Sequence, residues 1–145
     1  VGAFRLHHVG HLVRDVAESA KRFVTRFDYR IESEVIEDPV QTAFVQFLRL
    51  PDGRSWLELV MPNGPESKLS RALARGGGLH HVCYEVDALS AACEGLRTDG
   101  MLLLAAPEPA VAFGGRPIAW LMDRAGTLVE LLEDGPGPLR THTLR

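Results

Sequence analysis

Two cysteines in 145 residues are too few for a disulfide scaffold. Cys83 and Cys93 fall in an expected strand and an expected helix, which predicts buried thiols in a reducing cytoplasm. Basic residues are also short. Sixteen Lys and Arg against nineteen Asp and Glu give a formal charge of −3, so no basic face recommends nucleic acid or an anionic membrane as partner. No apolar run approaches the roughly 18 residues of a membrane span, and no signal-peptide pattern is read. What remains is the ordinary composition expected of a soluble globular protein, long enough for one domain or two small modules sharing a core.

What the chain does contain, it contains twice. Leu6-His7-His8-Val9 precedes Asp15, an amphipathic stretch and, later, Leu57-Glu58-Leu59. Leu79-His80-His81-Val82 precedes Asp87, another amphipathic stretch and Val129-Glu130-Leu131. The offset is 81 − 8 = 73 for the histidines and 130 − 58 = 72 for the glutamates.

Each copy reads β-α-β-β-β. In the first, residues 7–13 form a strand. Asp15 caps a helix, with Glu18 three residues on and Val16, Ala20, Phe23, Val24 and Phe27 at helical spacing. Strands follow over 29–36, 42–50 and 56–61, the last two separated by the turn Pro51-Asp52-Gly53. A short helix over 67–74 and the Gly76-Gly77-Gly78 joint lead to the second copy. It has a strand over 80–86, a helix capped by Asp87 and stopped by Gly100, and strands over 101–105, 118–122 and 128–132. The expected organisation is a first module over 4–62, a linker over 63–78, a second module over 79–133 and a flexible tail over 134–145. The class is α+β, with two tandem modules forming a curled mixed sheet around a central cleft.

Side chains alternate along a strand. Val82, Tyr84 and Val86 form the helix-facing phase, which sets His81, Cys83 and Glu85 on the other face. Leu57, Leu59 and Met61 isolate Glu58, and Val129 and Leu131 isolate Glu130. One such histidine in a strand is ordinarily structural and one such glutamate ordinarily solvated. Four at equivalent positions of two copies read better as ligands. Two imidazoles and two carboxylates suit one divalent cation of Co, Ni, Mn, Fe or Zn. Such an ion acts as a Lewis acid toward a carbonyl oxygen, and Glu130 and Glu58 are the candidate acid/base groups. His7, His80 and His11 fall on the helix-facing phase and read as structural. Arg116 is a candidate anion grip. With Gly115, Phe113 and Trp120 it makes up the candidate substrate-lining set, in or beside the long loop over 107–117.

These residues resemble the vicinal oxygen chelate superfamily, built from paired β-α-β-β-β modules (the glyoxalase-like fold). It includes glyoxalase I, methylmalonyl-CoA epimerases, extradiol dioxygenases and bleomycin- or fosfomycin-resistance proteins. The likeness runs from about Phe4 to Glu133 and is greatest to the epimerase branch, in LHHVGHLVRDV, WLELVMPNGPESKLSRAL and GGGLHHVCYEVDAL. It implies metal ligation by His8, Glu58, His81 and Glu130, and an isomerase that removes a proton α to a thioester and returns it to the other face. It further implies an acyl-CoA substrate and a homodimer. Three segments depart from the branch. Gln41-Thr42-Ala43 stands where some epimerases carry a basic glutamate. Residues 122–126 replace a longer loop, and Phe113 and Trp120 add aromatic bulk around Gly114-Gly115. The alternatives are a glyoxalase I-like lyase and a divergent biosynthetic or resistance protein that binds another small molecule.

Overall fold

The structure, a computed structural model, describes residues 4–141. The described residues divide into two compact units, residues 8–80 and residues 81–141 together with 4–7. Residues 4–7 at the start of the opening strand group with those from His81.

In the unit of residues 8–80, β1 (Arg5–Leu12) leads to α1 (Val16–Phe27), whose N-cap Asp15 accepts a hydrogen bond from the Glu18 amide at 3.0 Å. Strands β2 (Arg30–Ile31), β3 (Ile36–Asp38), β4 (Ala43–Arg49) and β5 (Trp56–Pro62) follow, then α2 (Ser70–Ala74). β2 and β3 both pair with β4, β4 runs antiparallel to β5, and β5 runs parallel to β1. Val16 and Ala20 of α1 pack with Leu48, Leu57 and Leu59 of the sheet, flanked by Phe23, Tyr29 and Met61.

The other unit repeats the plan with β6 (Gly78–Val86), α3 (Leu89–Thr98), β7 (Leu102–Leu103), β8 (Glu108–Pro109), β9 (Pro117–Met122) and β10 (Leu128–Glu133). Here β10 is parallel to β6 and antiparallel to β9, while β7 and β8 pair with β9. Its core joins Leu89 and Cys93 of α3 to Val86, Ala119, Leu121 and Leu131. The α+β reading and the duplicated β-α-β-β-β order hold.

Several local expectations change. The strand over 29–36 is broken, because the Ser33 hydroxyl takes the Phe47 amide at 3.0 Å and interrupts the ladder. The linker helix starts at Ser70 rather than 67, because the Ser67 hydroxyl is bonded to the Thr42 carbonyl at 2.7 Å. Asp87 does not cap α3. The Leu89 amide donates instead to Glu133 Oε1 at 3.0 Å, and Asp87 pairs with Arg5 at 3.0 Å. The described part of the expected tail is held rather than loose. The Pro138 and Leu139 carbonyls accept from Arg116, and the Thr141 hydroxyl meets Glu85.

Candidate metal centre

In residues 8–80, β1 and β5 lie in parallel register with Gly10 beside Glu58, so His8 stands two positions before the glutamate's partner. Both side chains are buried, and His8 Nε2 lies 3.4 Å from Glu58 Oε1. Phe47, directly across from Glu58 on β4, meets the His8 ring edge-on with centroids 5.3 Å apart. Perpendicular aromatic contacts of this kind are favoured by the ring quadrupoles.

The second unit builds the same arrangement. Cys83 on β6 is beside Glu130 on β10, and His81 stands two positions earlier. His81 Nε2 lies 3.6 Å from Glu130 Oε1, both buried, and Trp120, across from Glu130 on β9, meets the His81 ring edge-on at 4.8 Å. Strand pairing therefore repeats histidine, carboxylate and aromatic neighbour alike. Phe47 was not among the sequence candidates, yet 47 + 73 = 120, so the repeat offset points to it.

A carboxylate buried between apolar neighbours is costly without a compensating positive group. Separations of 3.4 and 3.6 Å exceed an ordinary hydrogen bond. Two ligand atoms on one ion lie about 3–3.4 Å apart when each bond is about 2.1 Å, a spacing the His8–Glu58 pair meets and the His81–Glu130 pair slightly exceeds. The donor chemistry, nitrogen and oxygen with no thiolate, suits a divalent first-row metal. Each pair, taken by itself, therefore suits a divalent cation.

The substrate-lining candidates fare differently. Trp120 is half-buried and supports His81. Phe113 is buried, edge-on to His7 at 5.2 Å, with the Arg116 guanidinium 5.6 Å above its ring. Gly115, at φ +87°, completes a turn through its amide bond to the Ala110 carbonyl, and a Cβ there would meet nothing within 4 Å. Arg116 is a correction. It is buried, its Nη1 is 2.9 Å from Glu85 Oε2, and its other nitrogens reach the Phe113, Pro138 and Leu139 carbonyls. Its charge is met within the protein, so it is not an open grip for an anion.

At Thr42 no carboxylate appears. Its hydroxyl accepts the Lys68 amide at 2.9 Å and contacts the Ser67 hydroxyl at 2.9 Å, at φ +55°. The residue latches the linker to the β3–β4 turn. His11 packs edge-on to Phe23 of α1 at 6.2 Å, as a structural histidine would. Cys93 is a buried thiol, pushed up by desolvation and partly lowered again by Arg97.

The sequence pattern of the Glyoxalase/Bleomycin resistance protein/Dioxygenase superfamily matches residues 7–120. The chain belongs to that superfamily. It is 32% identical over 131 residues to the ethylmalonyl-CoA/methylmalonyl-CoA epimerase of Cereibacter sphaeroides, covering 88% of this chain and 96% of the relative. It is 34% identical to the mitochondrial methylmalonyl-CoA epimerase of Mus musculus, over 88% of this chain and 71% of the relative. The crystal structure of methylmalonyl-CoA epimerase from Mycobacterium tuberculosis shares the fold, with a TM-score of 0.81 at 24% identity over 91% of this chain and 89% of that one. Within the superfamily the chain is an isomerase of the epimerase type.

Proposed function

We propose that this enzyme inverts the configuration at the carbon α to a CoA thioester, on a substrate of the methylmalonyl-CoA type. The superfamily likeness supports His8, Glu58, His81 and Glu130 as the ligands of a divalent metal. The observation that carries this reading is the buried histidine–carboxylate pair that recurs at the same strand register in both units. When bound, the ion supplies Lewis-acid stabilisation of charge developing on the thioester oxygen. Glu130 and Glu58 carry the proton work. Inversion needs a proton taken from one face and delivered to the other, and one carboxylate per repeat supplies two such groups. Thr42 carries no acid, which leaves that role to these two glutamates. His8 and His81 are held by Phe47 and Trp120, so their nitrogens stay oriented while the carboxylates exchange protons.

The two free cysteines, both buried, favour a reducing cytoplasm, where CoA thioesters are made. A homodimer follows from the superfamily likeness, and light scattering tests it.

The reaction is tested by NMR of methylmalonyl-CoA in deuterated buffer, with cobalt-loaded and metal-stripped protein. Metal-dependent exchange of the α-proton is the expected result. A folded, cobalt-loaded protein that leaves the α-proton in place would sink the assignment.

A further inference from the structure

The sheet face of the second unit that carries His81 and Glu130 continues beyond them as an open apolar row. On β9 Trp120 stands opposite Glu130 and Met122 opposite Leu128, and on β7 Leu102 stands opposite Met122. The Leu104 amide donates to the Trp120 carbonyl at 2.9 Å, which sets Leu104 on the same face. Leu102 is 65% exposed and Leu104 45%, while Trp120, Met122 and Leu128 are half-buried. The alternate phase, Leu103, Leu121, Val129 and Leu131, belongs to the core packed with α3. Core packing therefore does not account for the apolar character of the open row.

The unit of residues 8–80 holds charge at the matching positions. There Trp56 stands opposite Arg49, and Arg49 opposite Arg30. The Glu32 amide donates to the Phe47 carbonyl at 2.9 Å, as Leu104 does to Trp120. Arg49 pairs with Glu32 at 2.7 Å. The duplication thus keeps the backbone bonds but exchanges Arg30, Glu32 and Arg49 for Leu102, Leu104 and Met122. Charged residues support the same strand pairing, so pairing does not demand the apolar set. An exposed apolar surface continuous with a candidate site marks a contact with a ligand or partner.

We propose that this row is the subsite for the α-alkyl branch of the substrate, and that the enzyme prefers malonyl thioesters whose branch is longer than methyl. This assignment rests on Glu130 serving the reacting carbon, as proposed above. That carbon carries a proton, a carboxylate, the thioester and an alkyl branch. Leu102, Leu104, Met122 and Leu128 offer no hydrogen-bond donor, so a carboxylate or a CoA phosphate laid on them loses hydration without return. Only the alkyl branch gains by leaving water there. Neighbouring strands lie about 4.8 Å apart, so the row extends about two spacings from Glu130 to Leu104. A methyl group covers only its start. A straight branch of about four to six carbons, at about 1.5 Å per bond, passes Trp120 toward Leu104.

The test compares the dissociation constants of methylmalonyl-CoA and butylmalonyl-CoA for the cobalt-loaded protein, by calorimetry. It uses the native chain and a Leu102→Asn, Leu104→Asn double variant, altered only at exposed positions. A fully buried methylene is worth about fourfold in affinity, so three more on a half-open row favour butylmalonyl-CoA about tenfold. The double variant is expected to bring the two constants within about twofold. Should it fail to fold by circular dichroism, Leu104→Asn alone decides by the same ratio. Equal constants in the native chain, binding of neither thioester, or a preference that survives in the variant overturns the proposal. A dimer that the variant splits into monomers, seen by light scattering, assigns the row to a second copy of the chain and also overturns it. Tighter binding of butylmalonyl-CoA without exchange of either α-proton keeps the subsite and removes the reaction. Exchange of methylmalonyl-CoA without the preference keeps the reaction and removes the subsite.

Discussion

Glu130 and His81 occupy one small space, yet they answer different questions when altered. Glu130→Gln keeps the volume and one oxygen while removing the basic charge, so proton transfer should fall by roughly 10²–10⁴-fold, the usual contribution of a positioned acid/base group. The melting temperature of the metal-free variant should not fall, because a buried carboxylate costs desolvation that a neutral amide avoids in part. Exchange of the α-proton and thermal unfolding, measured on the same preparation, check both statements. An unchanged exchange rate would take Glu130 out of the chemistry. The legibility of such residues from sequence was uneven. His8, Glu58, His81 and Glu130 stand out because strand alternation sets each opposite an apolar phase, and it does so in both copies at nearly the same offset, 73 and 72. Phe47 is hidden because an aromatic in a strand is ordinary, and only the register with Glu58 gives it meaning. Arg116 misleads for the opposite reason. A loop arginine looks solvated, but Glu85, 31 residues away in sequence, meets its charge in the interior.

At the scale of the element, α3 separates a local signal from a non-local one. Asp87 precedes the helix as a capping residue should, and α1 begins with an aspartate that does cap. Yet the α3 amide is satisfied by Glu133 at the end of β10, because that strand runs parallel beside β6 and brings its terminal carboxylate to the helix start. Glu133→Ala should therefore cost about 1 kcal/mol, whereas Asp87→Asn should stay within about 0.5 kcal/mol. Urea unfolding distinguishes the two, and the reverse ranking would restore Asp87 as the cap. Pattern reading reaches the helices and long strands, whose period is internal to the segment. It reaches β2, β3 and β7 only as longer runs, over 29–36 and 101–105, and misses β8, because these two- or three-residue strands exist through partners on β4 and β9. The glycine joint shows the same limit. Its flexibility was legible, but not that Gly77, at φ +69°, lies against the Leu12 carbonyl. A Cβ there would sit 2.7 Å from that oxygen, so Gly77→Ala should destabilise by about 1–3 kcal/mol from backbone strain, with contact repulsion added.

For the molecule as a whole, the duplication has a consequence that neither repeat shows alone. Two separate histidine–carboxylate pairs and one shared four-ligand set contain the same residues but predict different metal binding. A pair of protein ligands leaves most of a divalent ion's coordination to water and binds it weakly, whereas four ligands hold it firmly. If the set is shared, titration of the metal-stripped protein with cobalt should reach one ion per chain. His8→Ala and His81→Ala should then each weaken binding of that one ion, and by similar factors, because each removes one of two equivalent imidazole donors. Both variants should remain folded, since an imidazole bound edge-on to a ring contributes modestly to stability. If the pairs act separately, two ions should bind per chain, and each histidine variant should lose one while leaving the other untouched. Cobalt absorbance in the visible range counts the ions, and circular dichroism confirms the fold. A count of two with independent losses would break the link between the repeats and, with it, the reading of Glu58 and Glu130 as paired groups on one substrate.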